Sequence, residues 1–269
     1  MAYLSLSTRD LNVLEKIKDP ESDPSTSVFV DSALQKDPHI RDSAEYDRIV
    51  AAERQVVLSM QALEMELAGL RPRSTTDAIA EYKRCVRKLG DIISGQPSYA
   101  SARNNRAQAA RRLYGDSLLL SRSQGAQKPL ISVPEQAERV RAASQCLADL
   151  DEAIMLLTPA SLYAGISPVA AKTLSLAHTQ RAAIYHLTSK LLASDTLDVD
   201  PERREASWGK LEFEEAASRD FAMGGRYGNE IAKGLAVSTN PTAKLCGQMV
   251  REAMKREYGP DFANQVNGR

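Results

Sequence analysis

The stretch SYASARNNRAQAARRLYGD, residues 98–116, and the later segment CLADLDEAIMLL, residues 146–157, decide the fold of this chain. Both segments carry small residues on a predicted helix: Ala107 in the first, and Cys146 and Ala153 in the second, with Leu150 as the large apolar residue between the last two. Small side chains at the crossing of two helices let the helix axes approach to about 8 Å. The two segments therefore predict a helical hairpin.

The same spacing occurs in a pair of helices on either side of this hairpin. The upstream pair departs from it at Ile92, which takes the place that Ala153 has in the central hairpin. The matching residues are Ala62, Cys85, Leu89 and Pro97 upstream, and Ala182, Gly209, Phe213 and Ala216 downstream. Since one hairpin cannot bury its apolar face alone, three similar hairpins predict a stacked superhelix, with a generic helical bundle as the alternative.

The composition favours an all-α protein. Aromatic residues make up 5% of the 269 residues, and alternating β-branched runs are scarce. Thirty-five basic residues balance thirty-five acidic ones, so no net charge attracts nucleic acid or a membrane surface. The sequence contains no signal-peptide pattern, no apolar run of membrane-spanning length and three cysteines without a CxxC pair. We expect a soluble protein of the cytoplasm, with the nucleus as a further location.

Helix-breaking residues divide the chain into elements. Helices are predicted over 7–18, 43–68, 75–94, 98–114, 135–157 and 169–193, and a further one begins with Asp200 as its N-cap and Pro201 in its first turn. The predicted organisation is a short helix and flexible arm over 1–42, a repeat domain over 43–258 with units at about 43–97, 98–160 and 169–223 and a cap at 228–258, and a tail over 259–269. The arm has the composition of a tether, although Val28–Val30 offers apolar side chains for local packing.

Three further motifs extend the pattern. NNRAQ at 104–108, QRAAIY at 180–185 and NPTAKLCGQMVREAM at 240–254 follow one another in this order. Together with three hairpins of tetratricopeptide-repeat type, they resemble the tetratricopeptide repeat protein 36 family over about residues 8–258. The long loops after Gly69, Asp116 and Ser194 resemble a fungal-type member. We expect the apolar residues of 243–254 to cover the exposed edge of the last repeat.

The resemblance also implies a function. It implies co-chaperone-like association with DnaK-class chaperones and, in animals, a link to tyrosine catabolism. By analogy with the motif, the first helix of each unit lines a groove that binds a protein or peptide. The polar candidates for this groove are Asn104, Asn105, Gln108 and Arg112 in the second unit, and Gln180, Arg181 and His186 in the third. The alternative for any one of these residues is a structural role at a helix end or between repeats, as for Asn105 and Arg106.

The groove is not expected to bind a peptide by its terminal carboxylate. Repeats that clamp a free C-terminus use Lys and Asn in the first unit, Asn in the second, and Lys and Arg in the third. The matching positions here hold Ser59, Leu63, Asn105, Leu176 and Gln180, so only the asparagine is retained. Any chaperone contact is therefore predicted to use a folded domain or an internal segment.

Motifs for catalysis or metal binding are weak. DFAMGGRYGNEIAKG, residues 220–234, has neither phosphate-loop pattern, so Gly224, Gly225 and Gly228 are predicted to form a turn with positive φ. His178 and His186 are eight residues apart, which is not zinc-binding spacing and favours surface or groove histidines. The acidic run at 195–202 favours a solvated loop over a calcium site.

These observations favour a non-catalytic adaptor. No nucleophile, base and orienting group occur together, so we expect no catalytic residues, no cofactor and no metal. The arginine-rich segment at 103–112 lacks aromatic stacking partners, which argues against nucleic acid. A subunit of an obligate assembly and, less favoured, an enzyme are the alternatives.

Overall fold

The computed structural model describes residues 28–72, 77–122, 128–161 and 164–258. Within these ranges the chain forms eight α-helices: α1 Ser43–Leu67, α2 Ala78–Gly95, α3 Ala100–Tyr114, α4 Gln136–Leu157, α5 Pro168–Leu191, α6 Lys210–Arg226, α7 Glu230–Thr239 and α8 Pro241–Tyr258. The helix predicted at 7–18 and the tail at 259–269 lie outside the described residues.

The helices pack in sequence as the hairpins α1–α2, α3–α4 and α5–α6, arranged as a superhelix. In the central hairpin Ala107, Leu150 and Ala153 are fully buried, and Cys146 is 1% exposed with its Sγ 3.7 Å from the Ala107 carbonyl oxygen. Small side chains thus lie where the two helices cross. The all-α fold is confirmed, and the described residues contain only two isolated β-bridges outside the helices. The unit boundaries remain a prediction.

Residues 28–42 lie against the end of α4 and the start of α5. The Asp31 amide donates to the Ile166 carbonyl and the Ile166 amide to the Phe29 carbonyl, each at 2.9 Å. The Ser167 hydroxyl, which caps α5, also donates to the carbonyl of Lys36 at 3.0 Å. Residues 28–42 of the predicted arm are therefore packed against the helices, which is the alternative that the apolar side chains of Val28–Val30 suggested.

The helix predicted after 169–193, with Asp200 as its N-cap, begins nine residues later than expected. Its helical part starts at Lys210, and Asp200 is not an N-cap: its carboxylate accepts from the Glu202 amide in a turn. The prediction was wrong because the loop that contains Asp200 is bound at Asp198 to Leu119 in the loop after α3 and to Arg139 of α4. Asp198 accepts from Arg139, and its amide donates to the Leu119 carbonyl at 2.8 Å.

The prediction that the acidic run at 195–202 is a solvated loop was wrong for its first residue, Asp195. Asp195 is 8% exposed and accepts from the Ser121 hydroxyl at 2.5 Å. Burial raises its pKa, but the bonds from Ser121 and from the amides of Thr196 and Arg122 outweigh burial and hold the pKa below its usual range. The carboxylate joins the α5–α6 loop to the α3–α4 loop.

The three glycines at the end of α6 and just after it, Gly224, Gly225 and Gly228, have two different roles. Only Gly228 has positive φ, at 104°, whereas Gly224 and Gly225 lie inside α6, so the turn prediction was wrong for these two. A Cβ on Gly225 would lie 2.7 Å from the Cα of Lys233 in α7. Glycine is required there because the two helix backbones approach closely.

The edge of the last repeat is covered by α7 rather than by α8. Ala232 of α7 is fully buried, and the Ser218 hydroxyl of α6 donates to the Ala236 carbonyl at 2.9 Å. In α8, Leu245, Met249 and Val250 remain about 60% exposed. The prediction that residues 243–254 cover this edge was therefore wrong for these three, because a new helix starts at Pro241 and leaves their side chains exposed.

Candidate protein-binding groove

An open cavity of about 880 Å³ lies between α1 and α3, the first helices of the first two units. We call it the groove. Its lining residues are Val57, Met60, Gln61, Glu64 and Met65 from α1, Tyr82 from α2, Asn105, Gln108, Ala109, Arg111 and Arg112 from α3, and Asp116 and Lys128 from the loop after α3. Three of the seven predicted site residues, Asn105, Gln108 and Arg112, belong to this lining, and Gln108 is exposed.

One end of the groove is organised by a buried carboxylate of α1. Glu53 is 6% exposed and accepts from the Asn105 amide at 2.7 Å and from the Tyr99 hydroxyl at 2.5 Å. Burial and the nearby Glu53 charge raise the pKa of Tyr99 far above its usual range, so its hydroxyl remains a donor. The Asn105 side-chain NH₂ is thus directed at a carboxylate of the protein itself.

A second carboxylate, Glu64, binds the donors further along the groove. It accepts from Arg112 Nε at 2.7 Å and from the Tyr82 hydroxyl. Burial raises the pKa of Glu64, but the bonds from Arg112 and Tyr82 outweigh it and hold the pKa below its usual range. Arg112 also donates from Nη1 to the Lys128 carbonyl at 3.0 Å. The groove lining therefore carries both acidic and basic side chains, and Arg112 is already paired with Glu64.

Sequence reasoning missed both of these carboxylates. Glu53 and Glu64 are eleven residues apart on α1, close to three helical turns, while Asn105 and Arg112 are seven apart on α3, close to two turns. Each pair therefore lies on one face of its helix. The spacing was visible in the sequence, but which carboxylate faces which donor depends on how the two helices pack.

Asn104 and Gln180 lie between units rather than in the groove. Both are buried, and Gln180 Nε2 donates to Asn104 Oδ1 at 2.8 Å. Gln180 Oε1 accepts from Arg111 Nη1 at 3.1 Å. These bonds join α3 to α5 across the second and third units, which leaves the two amides little capacity to bind a ligand.

Arg181 does not line the groove, and it joins α5 to α4 and α6. Its Nε and Nη2 donate to Asp220 of α6 at 2.7 and 2.8 Å, and its Nη1 donates to Asp151 of α4 at 2.6 Å. His178 is not a surface or groove histidine: it is 5% exposed, its Nδ1 lies 2.8 Å from Asp220, and its ring stacks on Tyr227. This cluster connects the last two units.

His186 lies beside the end of the third unit. Its ring contacts that of Phe221 edge to face, with centroids 6.1 Å apart. Burial, with the nearby charges of Lys190 and Lys244, lowers its pKa. Thus the structure brings Asn105, Gln108 and Arg112 together and separates them from the four other candidates.

The structure places the residues at the carboxylate-clamp positions in different environments. Leu63 is buried, Ser59 donates its hydroxyl to the Gln55 carbonyl within α1, and Leu176 is 41% exposed. Gln180 is held by Asn104. The described clamp positions supply no lysine or arginine, so the donors that would converge on a terminal carboxylate are not assembled there.

Stacked hairpins with a groove between their first helices define a helical repeat protein of the tetratricopeptide type. The L-tyrosine degradation gene cluster protein hmgX of Aspergillus fumigatus is 34% identical over 262 residues, which cover 94% of this chain and 93% of that protein. Tetratricopeptide repeat protein 36 homolog of Drosophila pseudoobscura pseudoobscura is 25% identical over 93% of this chain and 95% of its own length. Tetratricopeptide repeat protein 36 of Xenopus tropicalis is 26% identical over 75% of this chain and 68% of its own length.

The chain belongs to the family of these relatives, the tetratricopeptide repeat protein 36 family, as a fungal-type member. No family model matches the chain, and no solved structure matches it. None of the helices in the described ranges is long and apolar enough to cross a membrane.

Proposed function

We propose that this protein is a non-catalytic adaptor that holds a segment of a partner protein in the groove between α1 and α3. The observation that carries the proposal is the open cavity of about 880 Å³, which combines apolar side chains such as Met60 and Met65 with the polar side chains of Gln61 and Gln108. Apolar contacts give binding energy, while amide groups pair with the backbone of an extended segment.

The pairing inside the groove favours an internal segment over a chain terminus. Glu53 occupies the Asn105 amide and Glu64 occupies Arg112 Nε, so an incoming carboxylate would meet two carboxylates of the protein and few unpaired donors. Within the proposed function, contact with a DnaK-class chaperone uses a folded domain or an internal segment of that chaperone.

The biological setting is proposed from a relative. The printed name of the A. fumigatus protein assigns that protein to a gene cluster for L-tyrosine degradation. We extend this setting to the present chain as an adaptor for a cytoplasmic partner in tyrosine metabolism. The proposal requires neither nucleic acid nor a membrane.

The groove is tested by removing its amide side chains. In a pull-down from the producing cells, the double variant Gln61→Ala/Gln108→Ala should lose a specific partner at least about tenfold, which corresponds to roughly 1.4 kcal/mol. The control Gln55→Ala/Gln248→Ala removes two exposed amides outside the groove lining and should retain that partner. Equal recovery with both variants, each with an unchanged melting temperature, contradicts the groove assignment.

Calorimetric titration with a chaperone peptide ending in Glu-Glu-Val-Asp tests the binding mode. We expect no binding tighter than about 100 μM, and intact chaperone should bind equally with and without this tail. Low micromolar affinity that disappears when the peptide terminus is amidated would show that the groove does clamp a carboxylate.

A second candidate function is supported by α8. Leu245, Met249 and Val250 form an exposed apolar stripe, which is typical of a subunit in a permanent assembly. Light scattering and thermal unfolding of the purified chain distinguish this candidate. A monomer that unfolds cooperatively and remains soluble in isolation argues against an obligate assembly.

A further inference from the structure

A smaller cavity of about 260 Å³ lies on the other side of α3, between α2 and α4. We call it the outer pocket. It shares no lining residue with the groove, and all of its lining residues lie on helices. It is therefore a separate site, and nothing in the proposed function depends on it.

The interior of the outer pocket is apolar because small residues meet there. Ala110, Leu113 and Cys146 of its lining are buried, and Val86 and Ala142 are half-buried. Burial raises the pKa of the Cys146 thiol to about 12, so this cysteine remains an uncharged thiol at neutral pH. The pocket offers an apolar surface without a nucleophile.

Two ion pairs bound the pocket, and each is complete within the protein. At one end Glu138 accepts from Lys83 Nζ and from the Tyr114 hydroxyl, both at 2.7 Å. At the other end Arg106 donates from Nε and Nη2 to the fully buried Asp149, both at 2.7 Å. Both carboxylates are thus already paired and leave no uncompensated negative charge towards the pocket.

Arg87 is the remaining charge in the lining. It is exposed on α2, and no carboxylate of the described residues lies within salt-bridge distance of it. The lining therefore holds three cationic side chains against two carboxylates, and the unpaired charge is on the exposed guanidinium of Arg87. A guanidinium binds a carboxylate through two parallel hydrogen bonds.

We propose that the outer pocket binds a small monocarboxylic acid with a ring-sized apolar body, its carboxylate held by Arg87. The volume supports this class, since pockets for drug-sized ligands range over roughly 300–1,000 Å³ and this one is slightly smaller. The proposed position of the ring is against Ala110, Leu113 and Tyr114, which line the pocket. The aromatic ring of Tyr114 favours a planar ligand, because aromatic pairs gain energy beyond buried area.

The test titrates the full chain with phenylacetate, 4-hydroxyphenylacetate and indole-3-acetate by calorimetry. At least one should bind saturably, and its affinity should fall about tenfold or more in Arg87→Gln. Lys88→Gln is the matched control, because Lys88 is an exposed base next along α2 that does not line the pocket. 4-Ethylphenol, which lacks the carboxylate, should bind more weakly than 4-hydroxyphenylacetate and be indifferent to Arg87→Gln.

A second variant tests the location of the apolar body. Ala142 is half-buried in the lining of the pocket, so Ala142→Leu should occupy part of the pocket and abolish binding of the acid; a cooperative thermal melt checks that this variant is folded. The proposal is overturned if none of the three acids binds saturably up to about 5 mM. It is equally overturned if Arg87→Gln and Lys88→Gln weaken binding alike, or if Ala142→Leu binds the acid as the unmodified protein does.

Discussion

Two junctions between neighbouring units differ in what their polar side chains do. The first lies between α1 and α3, and the second lies between α5 and the helices around it. At the first, Glu64 and Arg112 pair across an open groove, and their side chains are 43% and 29% exposed. At the second, Gln180 interlocks with Asn104, and Arg181 joins α4 to α6 through Asp151 and Asp220. The first junction leaves space for a ligand, while the second holds the units together.

The difference shows that polar residues on first helices do not share one role. Arg112 and Arg181 are both first-helix arginines with a carboxylate partner, but only Arg181 binds a carboxylate that is 6% exposed. Removing a partner from a buried charge is costly because the remaining charge is uncompensated, while an exposed pair contributes little. Four experiments test how far this contrast extends.

The largest effect on stability is expected from removing the C-terminal helices. A chain ending at Tyr227 lacks α7 and exposes Phe221 and the face that Ala232 covers, so it should aggregate or lose cooperative unfolding. A chain ending at Thr239 keeps α7 and should melt within about 4 °C of the full chain, because α8 covers little of the repeat. If both shortened chains melt like the full one, α7 does not close the last unit.

Next in size is the contrast between the two arginines. Arg181→Ala should destabilise by about 3–5 kcal/mol, because Asp220 is left buried beside His178 without its cation. Arg112→Ala should cost about 1 kcal/mol or less at the open junction. Denaturant unfolding of both variants measures the difference, and equal losses would contradict the division into open and closed junctions.

Lowering the pH should reduce the free energy of unfolding through Glu205, which precedes α6. Burial raises the pKa of this carboxyl, but Arg203 and Tyr185 outweigh burial and lower it from 4.5 to about 2. Since the folded-state pKa is depressed, the contribution is present above pH about 4.5 and is lost as the pH falls towards 2, by at most about 3 kcal/mol. Unfolding curves measured against pH for Glu205→Gln should lack this part of the acid dependence, and a parallel profile would contradict it.

The smallest of the four effects concerns the hairpin that both junctions share. Ala107→Leu and Ala153→Leu add volume at fully buried crossing positions of α3 and α4, so each should destabilise by roughly 1–3 kcal/mol. Ala148→Leu, exposed on α4, is the control and should change stability by about 0.5 kcal/mol or less. Melts unchanged in the two buried variants would show that these alanines are not at the crossing.

Much of the fold could be predicted because its signals are local. Apolar periodicity and the Gly and Pro residues that end helices set α1 to α5 to within a few residues, as at α4, where 135–157 was predicted and Gln136–Leu157 is found. The prediction failed at Asp200, which has the local signature of an N-cap, because pairing with the distant Leu119 segment holds its loop. It also failed at α8, whose amphipathic pattern indicates a buried face but does not say which surface buries it.

The candidate site shows the same limit. Asn104 and Asn105 are adjacent, and on a helix adjacent side chains point about 100° apart. One therefore enters the junction with α5 and the other faces Glu53. Sequence similarity to the repeat motif identifies both as first-helix residues, but it does not distinguish them, because their partners lie 76 and 52 residues away.

By itself the sequence determined an all-α chain of three hairpins with small residues at their crossings, since helix propensity, periodicity and breakers act within a few residues of one another. Only the tertiary structure decided which junction stays open and which closes. It brought Glu53 and Glu64 to the donors of α3, placed Asp220 beneath Arg181, and left the outer pocket between α2 and α4. These arrangements depend on how whole helices pack, and packing sums many weak contacts between residues far apart in the chain.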